Sequence, residues 1–99
     1  MPTPELPPVT LADTVTWSDR QLATDICGQT VVMSLSASTY CGLDDIGSDI
    51  WRRLARPATV ANLCAALVRD YQATADVIEA DVLPLLEQMR AQGIIDVRS

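Results

Sequence analysis

The residues that could do chemistry here are carboxylates and thiols, because the chain has no histidine. Without histidine there is no ordinary nucleophile–base–acid triad, and no side chain whose unperturbed pKa lies near neutrality. The pair Asp44-Asp45 resembles an acid–base or metal dyad. Adjacent residues on a helix project about 100° apart, however, so the two carboxylates cannot easily converge on one atom. They read better as helix caps. A second set of acids, Asp76, Glu79, Asp81 and Glu87, is spread along one later segment as a solvated face or a negative rim for a basic partner. Cys27, Cys41 and Cys64 are odd in number and widely spaced, which does not make a zinc set. They read as three reduced thiols, mostly buried, with a Cys27–Cys41 cross-strand pairing as the alternative. The four glycines are scattered, so there is no phosphate-cradling loop. No catalytic, metal or cofactor constellation emerges, and the expectation is a binding protein and not an enzyme.

Composition narrows what is bound. The formal charge is −6, and all seven basic residues are arginines that form no stripe. Such a surface repels a phosphate backbone and favours a neutral or basic partner. Ninety-nine residues make one domain, and with 48% apolar residues it can bury a core without staples. Aromatics are only Trp17, Trp51, Tyr40 and Tyr71, so that core must be aliphatic. There is no secretory signal pattern and no apolar run near the roughly 20 residues of a membrane helix. The expected location is the cytoplasm.

The elements that would position a binding site follow from periodicity. Residues 1–8 hold four of the six prolines and form an extended lead-in; residues 9–99 form the domain. Val15 and Trp17 share one face of a first strand, and residues 18–25 read as a polar loop anchored by Leu22. Residues 30–36 alternate as a second strand, with Val31, Met33 and Leu35 on one face and Val32, Ser34 and Ser36 on the other. After a short turn, residues 39–43 return as a third, antiparallel strand. Asp44 or Asp45 caps a first helix whose face is Leu43, Gly47, Ile50, Trp51 and Leu54. Gly47 inside that helix implies a close approach by another element. Thr59 caps a second helix with the stripe Val60, Leu63, Cys64, Leu67, Val68 and Tyr71. Thr74 caps a third, with apolar Ile78, Val82, Leu85, Leu86 and Met89. Pro84 within it deletes the amide that would bond Ala80 and predicts a kink. Gly93 closes it, and residues 94–97 form a short extended tail. The fold class is α+β: a three-stranded antiparallel sheet followed by three helices with helix-turn-helix proportions.

A sheet of three strands leaves edges. The stretch Thr39, Tyr40, Cys41, Gly42 and Leu43 has no proline and no charge to blunt it, so it is the candidate docking edge for an added strand. The competing reading places this strand centrally or beneath the terminal tail. Ile78, Val82 and Leu85 are the candidate groove lining, with Asp76 and Asp81 as the acidic rim.

Two stretches resemble a known family. They are residues 28–35, Gly-Gln-Thr-Val-Val-Met-Ser-Leu, and residues 39–54, Thr-Tyr-Cys-Gly-Leu-Asp-Asp-Ile-Gly-Ser-Asp-Ile-Trp-Arg-Arg-Leu. Together with the ending from Asp81-Val82-Leu83 to Gln92-Gly93-Ile94-Ile95, they resemble the PqqD-like recognition elements for ribosomally made precursor peptides, most of all the stand-alone leader-binding proteins of lasso-peptide pathways. Pro84 departs from that pattern. The resemblance implies a winged helix-turn-helix-like fold and a non-catalytic adaptor. The precursor's leader would add as a strand beside residues 39–43 and pack on the third helix between Asp76 and Met89. It implies a leader peptidase as partner, and an ATP-dependent cyclase downstream. The alternatives are a PqqD-type peptide chaperone for a radical enzyme of pyrroloquinoline quinone biosynthesis, or a winged-helix DNA-binding protein, which would need a basic recognition helix.

Overall fold

The computed structural model describes residues 8–27, 29–36 and 38–98. The proline-rich lead-in, apart from Pro8, lies outside them, as do Gly28 and Ala37 of the two expected turns. Four strands come first: β1 (Thr14–Trp17), β2 (Gln21–Ile26), β3 (Gln29–Ser34) and β4 (Thr39–Gly42). There follow α1 (Asp45–Arg53), the two-residue β5 (Ala58–Thr59), α2 (Val60–Tyr71), α3 (Ala75–Ala91) and β6 (Ile95–Arg98). An antiparallel sheet in the order β2-β3-β4 precedes the three helices, the α+β arrangement expected from the periodicity. A second small sheet, ordered β5-β1-β6, brings the start and end of the domain together.

Two sequence expectations are corrected in the sheets. The stretch read as a polar loop is strand β2, and it takes the place expected for β1, which belongs to the second sheet. Residues 22–26 of β2 are all exposed, so no buried alternation marks the strand; pairing with β3 from Gln21↔Ser34 to Ile26↔Gln29 makes it. The phase of β3 is also reversed. Thr30, Val32 and Ser34 are its buried residues, and Val31 and Met33 stand on the outer face. Thr30 tolerates the inner face because it is bonded there: it donates through Oγ1 to Asp25 (2.9 Å), and its N–H donates to Ser48 Oγ (3.0 Å).

The helices start where the caps predict. Asp44 is the N-cap of α1 and accepts from the Gly47 N–H at 2.7 Å; Thr59 caps α2 by accepting from the Asn62 N–H at 3.1 Å. Thr74 is the N-cap of α3 but makes no side-chain cap bond. Gly47 does not admit another element, as its sequence context suggested. A Cβ there would lie 3.1 Å from Asp44 Oδ1 and 3.4 Å from Leu43 Cβ, so the glycine makes room for its own helix cap. Helix α3 continues through Pro84 as one 17-residue element. Gly93 ends it at φ +78°, where a side chain would also meet Ser34 Oγ at 2.9 Å.

The core lies between the helices and the inner faces of both sheets. Ile50, Trp51, Leu54, Leu63, Leu67, Val82, Leu86 and Met89 bury the faces read from sequence, with Val15 and Val32 from the strands and Ile94 just before β6. Trp51 stacks on Trp17 with ring centroids 5.0 Å apart, and the Trp17 indole N–H donates to the Trp51 carbonyl at 2.8 Å. This seam joins α1 to the second sheet. All three cysteines are free; Cys64 is buried, Cys41 half-buried and Cys27 exposed, so the thiols are less buried as a group than expected.

Helices α1 and α2 are also clasped at the surface. Arg53 bridges Asp49 (3.0 Å) and Asp70 (2.7 Å), and the Tyr71 hydroxyl donates to Asp49. The Arg53 hydrogen bond is the main force holding the Asp49 carboxyl below its ordinary pKa. A depressed carboxyl stabilises the fold above its unfolded pKa of about 3.9, and that contribution is lost as pH falls through the folded value. The pair is solvent-accessible, so the effect is below about 1 kcal/mol. Accordingly, Asp49→Asn is expected to lower the melting temperature slightly at pH 7 and to flatten its decline below pH 4. A wild-type slope retained in the variant would remove the clasp from the account.

Candidate functional site

β4 is an open edge. The tail β6, which could have covered it, pairs instead with β1, from Trp17↔Ile95 to Thr14↔Arg98. The Leu43 N–H donates to the Thr30 carbonyl at 2.9 Å. That bond fixes the phase of the ladder, because directly opposed antiparallel residues alternate between bonded and unbonded pairs. Thr39 and Cys41 therefore turn their main-chain groups toward β3. Tyr40 and Gly42 turn theirs outward, leaving two N–H and two C=O groups for an added strand. Gly42 adds clearance: a Cβ placed on it meets nothing within 4 Å.

Ser48 controls how the strand leaves the sheet. It is completely buried on the first turns of α1. Its hydroxyl accepts from the Thr30 N–H and donates to the Leu43 carbonyl at 3.2 Å. The hydroxyl thus stands in for one ladder bond at the point where β4 gives way to helix. Strand and helix separate there without leaving a buried polar group unpaired.

Beside the edge runs a groove with two adjoining cavities. One, of about 200 Å³, is lined by Cys41, Gly42, Leu43, Asp44, Gly47, Leu85, Gln88 and Met89. The other, of about 270 Å³, is lined by Asp44, Ile46, Ile50, Asp81, Val82 and Leu85. Leu85 and Asp44 belong to both. Their other α3 linings, Asp81 and Val82 against Gln88 and Met89, lie on either side of Leu85 along the helix. The cavities are therefore spaced along α3 on the scale of a turn, about 5.4 Å, comparable with the roughly 6.6 Å between alternate residues of a strand. The floor is aliphatic, and the rim carries the carboxylates of Asp44 and Asp81. Burial pushes the Cys41 thiol above its ordinary pKa, so it lines the groove as a neutral group.

Of the residues singled out in the sequence, the structure brings together Cys41, Gly42, Leu43, Asp81, Val82 and Leu85. Thr39 and Tyr40 lie on the same strand, with Tyr40 71% exposed. Leu43 and Val82 are core residues whose flanks form the floor. Asp76 and Ile78, near the start of α3, line neither cavity; their neighbours Ala75 and Glu79 face α2 across a different hollow. Asp44, Ile46, Gly47 and Ile50 were not assigned to the site, and Gln88 and Met89 only as part of the wall between Asp76 and Met89. Helical spacing from Leu85 to Gln88 and Met89 was the available signal for naming them, while Asp44 was read only as a cap.

Among the described residues no group of acids and thiols could hold a metal ion, and no helix is long and apolar enough to cross a membrane.

The model of a protein family described as "Coenzyme PQQ synthesis protein D (PqqD)" matches residues 29–95. No curated protein matches. Among solved structures the chain is similar to TbiB1 in complex with the TbiA(beta) leader peptide. The identity is 25%, the TM-score is 0.74, and the likeness covers 82% of this chain and 94% of that one.

Proposed function

Since this chain belongs to the PqqD family, we propose that it is a non-catalytic adaptor that binds the leader of a ribosomally made precursor peptide by strand addition. In this reading it presents the leader to a leader peptidase in lasso-peptide maturation, with an ATP-dependent cyclase acting afterwards. The observation that carries the proposal is the open β4 edge beside a groove walled by α3. The likeness to a protein solved with a leader peptide supports it. The docking residues are Thr39, Tyr40, Cys41, Gly42 and Leu43 on the strand, with Asp81, Val82 and Leu85 on α3. Asp76 and Ile78 would serve only a leader that extends past the groove toward the start of α3.

Magnitudes set what each part supplies. The four outward main-chain groups give roughly 1 kcal/mol each net. Association costs about 4–15 kcal/mol, so the ladder alone cannot hold a peptide. Two apolar side chains seated in the cavities add roughly 1.5–3 kcal/mol each. Ladder and groove together supply about 7–10 kcal/mol against that cost, where the ladder alone supplies only about 4. The ladder supplies sequence-independent affinity, and the cavities select alternate side chains of the leader.

Gly42 tests the ladder. Replacing its peptide N–H by an ester oxygen deletes one outward donor and keeps the side-chain surface. The expected result is a loss of about 3- to 10-fold in affinity for the leader of the precursor encoded with this chain, the equivalent of one hydrogen bond. Fluorescence anisotropy with a labelled leader reads it. The same exchange at Cys41 strikes the internal β3–β4 ladder and should lower stability instead. Equal leader affinity with and without the Gly42 donor would sink the edge model.

A second reading keeps the docking mode and changes the client: a peptide chaperone for a radical enzyme of pyrroloquinoline quinone biosynthesis, favoured by the description of the matched family. Titration against the two kinds of precursor separates them. DNA binding has no support, since α3 carries Asp76, Glu79, Asp81 and Glu87 against the single basic Arg90.

A further inference from the structure

Strand β2 is the other edge of the β2-β3-β4 sheet, and no strand of the described residues pairs with its outer side. The Leu35 N–H donates to the Arg20 carbonyl at 3.0 Å, so Arg20 turns its main chain toward β3. By the alternation of an antiparallel ladder, Leu22, Thr24 and Ile26 do the same. Gln21, Ala23 and Asp25 turn outward and leave three N–H and three C=O groups outside the ladder. No proline and only one charge, that of Asp25, blunt this edge. The space beside it is open as well. A cavity of about 280 Å³ is lined by Ala23 and Asp25 of β2, Trp17 of β1, and Trp51 and Arg52 of α1. Ala23 and Asp25 turn their side chains to the inner face of the sheet, opposite Val32 and Thr30, and are nevertheless exposed. Nothing among the described residues closes this cleft.

The residues of β2 suit one occupant, another β2. Two antiparallel copies related by a twofold at Thr24 set Leu22 opposite Ile26 of the second copy, and Ile26 opposite its Leu22. Leu22 is 62% exposed and Ile26 55%, so this register covers the two large apolar side chains that the strand leaves bare. Thr24 faces Thr24 between them in a pair that shares no main-chain bond, where side chains approach most closely. On the inner face, Asp25 of the second copy stands opposite Ala23, beside the cleft that Arg52 lines. Arg52 makes no ion pair among the described residues, and the incoming carboxylate gives it a counter-charge. The two Asp25 side chains are diagonal neighbours, about 7–8 Å apart, and are not opposed. Other registers fit less well. A twofold at Asp25 sets the two carboxylates directly opposite each other, and like charges so placed are destabilising. A twofold at Ala23 puts Leu22 opposite Thr24 and Ile26 opposite Arg20. Pairing β2 with β4 of a further copy is head-to-tail and leaves free edges at both ends.

We propose that this chain forms a twofold dimer through β2, joining two three-stranded sheets into one of six across Thr24 and covering the Trp17–Trp51 cleft of each copy with the strand of the other. The β2 edges are then paired and withdrawn from solvent, which removes the hazard of an unblunted edge. The two β4 edges lie at opposite ends of the joined sheet, five strand spacings or about 24 Å apart. Each keeps its groove, so the dimer presents two docking edges that face away from each other. The pairing at β2 does not depend on what β4 binds.

Sedimentation velocity on the full chain over a concentration series reads the equilibrium. Ala23→Pro deletes an outward N–H and no bond of the β2–β3 ladder, a place where an edge strand tolerates proline. Ile26→Lys sets a charge against Leu22 of the second copy and serves as a second variant should proline disturb the fold. Each is expected to weaken the dimer at least tenfold. Cysteines read the register. In a Cys27→Ser background, Thr24→Cys should give a disulfide-linked dimer under oxidised glutathione. Leu22→Cys mixed with Ile26→Cys should cross-link to each other in preference to themselves. A wild type that is monomeric throughout the series overturns the proposal, as does a dimer that the folded variants leave intact. Cross-linking of Thr24→Cys to Gly42→Cys in place of itself assigns the edge to a head-to-tail assembly and also overturns it. So does dissociation of the wild-type dimer by the leader of the precursor encoded with this chain, which gives β2 to the peptide.

Discussion

Leu85→Asp is expected to weaken leader binding by about 100-fold or more while the chain stays folded. Leu85 is the residue shared by both cavities of the groove, and it is half-buried, so a polar side chain there is tolerated in the free protein. Binding is different. A docked strand would cover the position and remove about 1.5–3 kcal/mol of apolar contact that leucine makes. It would also desolvate a carboxylate beside Asp44 and Asp81, with no arginine among the residues lining either cavity. An unpaired charge buried in this way costs several kcal/mol. The two together exceed the roughly 2.7 kcal/mol that corresponds to a factor of 100. Leu85→Met, which keeps volume and polarity, should stay within a few-fold of wild type. Anisotropy gives the affinities and thermal denaturation shows that the variants fold. Near-normal binding by the folded aspartate variant would exclude the groove as the leader site.

The largest effect on stability is expected for Trp51→Ala, a loss of about 3–5 kcal/mol. Trp51 is 2% exposed, stacks on Trp17, and accepts the Trp17 indole hydrogen bond on its own carbonyl. The ring fills the seam between α1 and β1. A domain of this size has roughly 5–15 kcal/mol in total, so the variant sits near the edge of folding. Its melting temperature should fall by on the order of 15–30 °C, at about 4–8 °C for each kcal/mol. Trp17→Phe keeps most of the stack and loses the indole N–H, so about 1 kcal/mol is expected. Urea denaturation followed by circular dichroism measures both. A cost below 1 kcal/mol for Trp51→Ala would mean that α1 and the second sheet are held together by other contacts.

The contrast between these residues shows what could be read from the sequence. The helical face Leu43, Gly47, Ile50, Trp51 and Leu54 was legible because helical burial repeats with a fixed period, and Asp44 and Thr59 mark helix starts by a local bond. Strands gave less. Alternation in β3 identified the strand but assigned the wrong face, since Thr30 and Ser34 are inward polar residues stabilised by partners that sequence does not reveal. β2 gave no signal, because a strand exposed along nearly its whole length has no buried period to detect. That β4 is an edge could not be deduced either; it depends on β6 choosing β1, a pairing between the two ends of the domain. On α3 the apolar face was correct, and of the wall read between Asp76 and Met89 the groove cavities are lined by Asp81, Val82, Leu85, Gln88 and Met89.

The pairing of β6 with β1 also sets an order of assembly. β2, β3 and β4 follow one another closely in sequence, so their contacts close short loops and can form early. The β1–β6 ladder joins Thr14 to Arg98 and must close nearly the whole chain, at the cost of a long loop's entropy. The sheet that offers the docking edge can therefore be in place while β1 still lacks its neighbour. During synthesis there is an interval in which β1 lacks its β6 neighbour although the β2-β3-β4 sheet is already formed. Once the last strand emerges, β1 is paired on both sides, and the strand edges left are those of β2 and β4 in one sheet and of β5 and β6 in the other. A chain that lost β6 would be expected to expose the β1 edge as well and to self-associate.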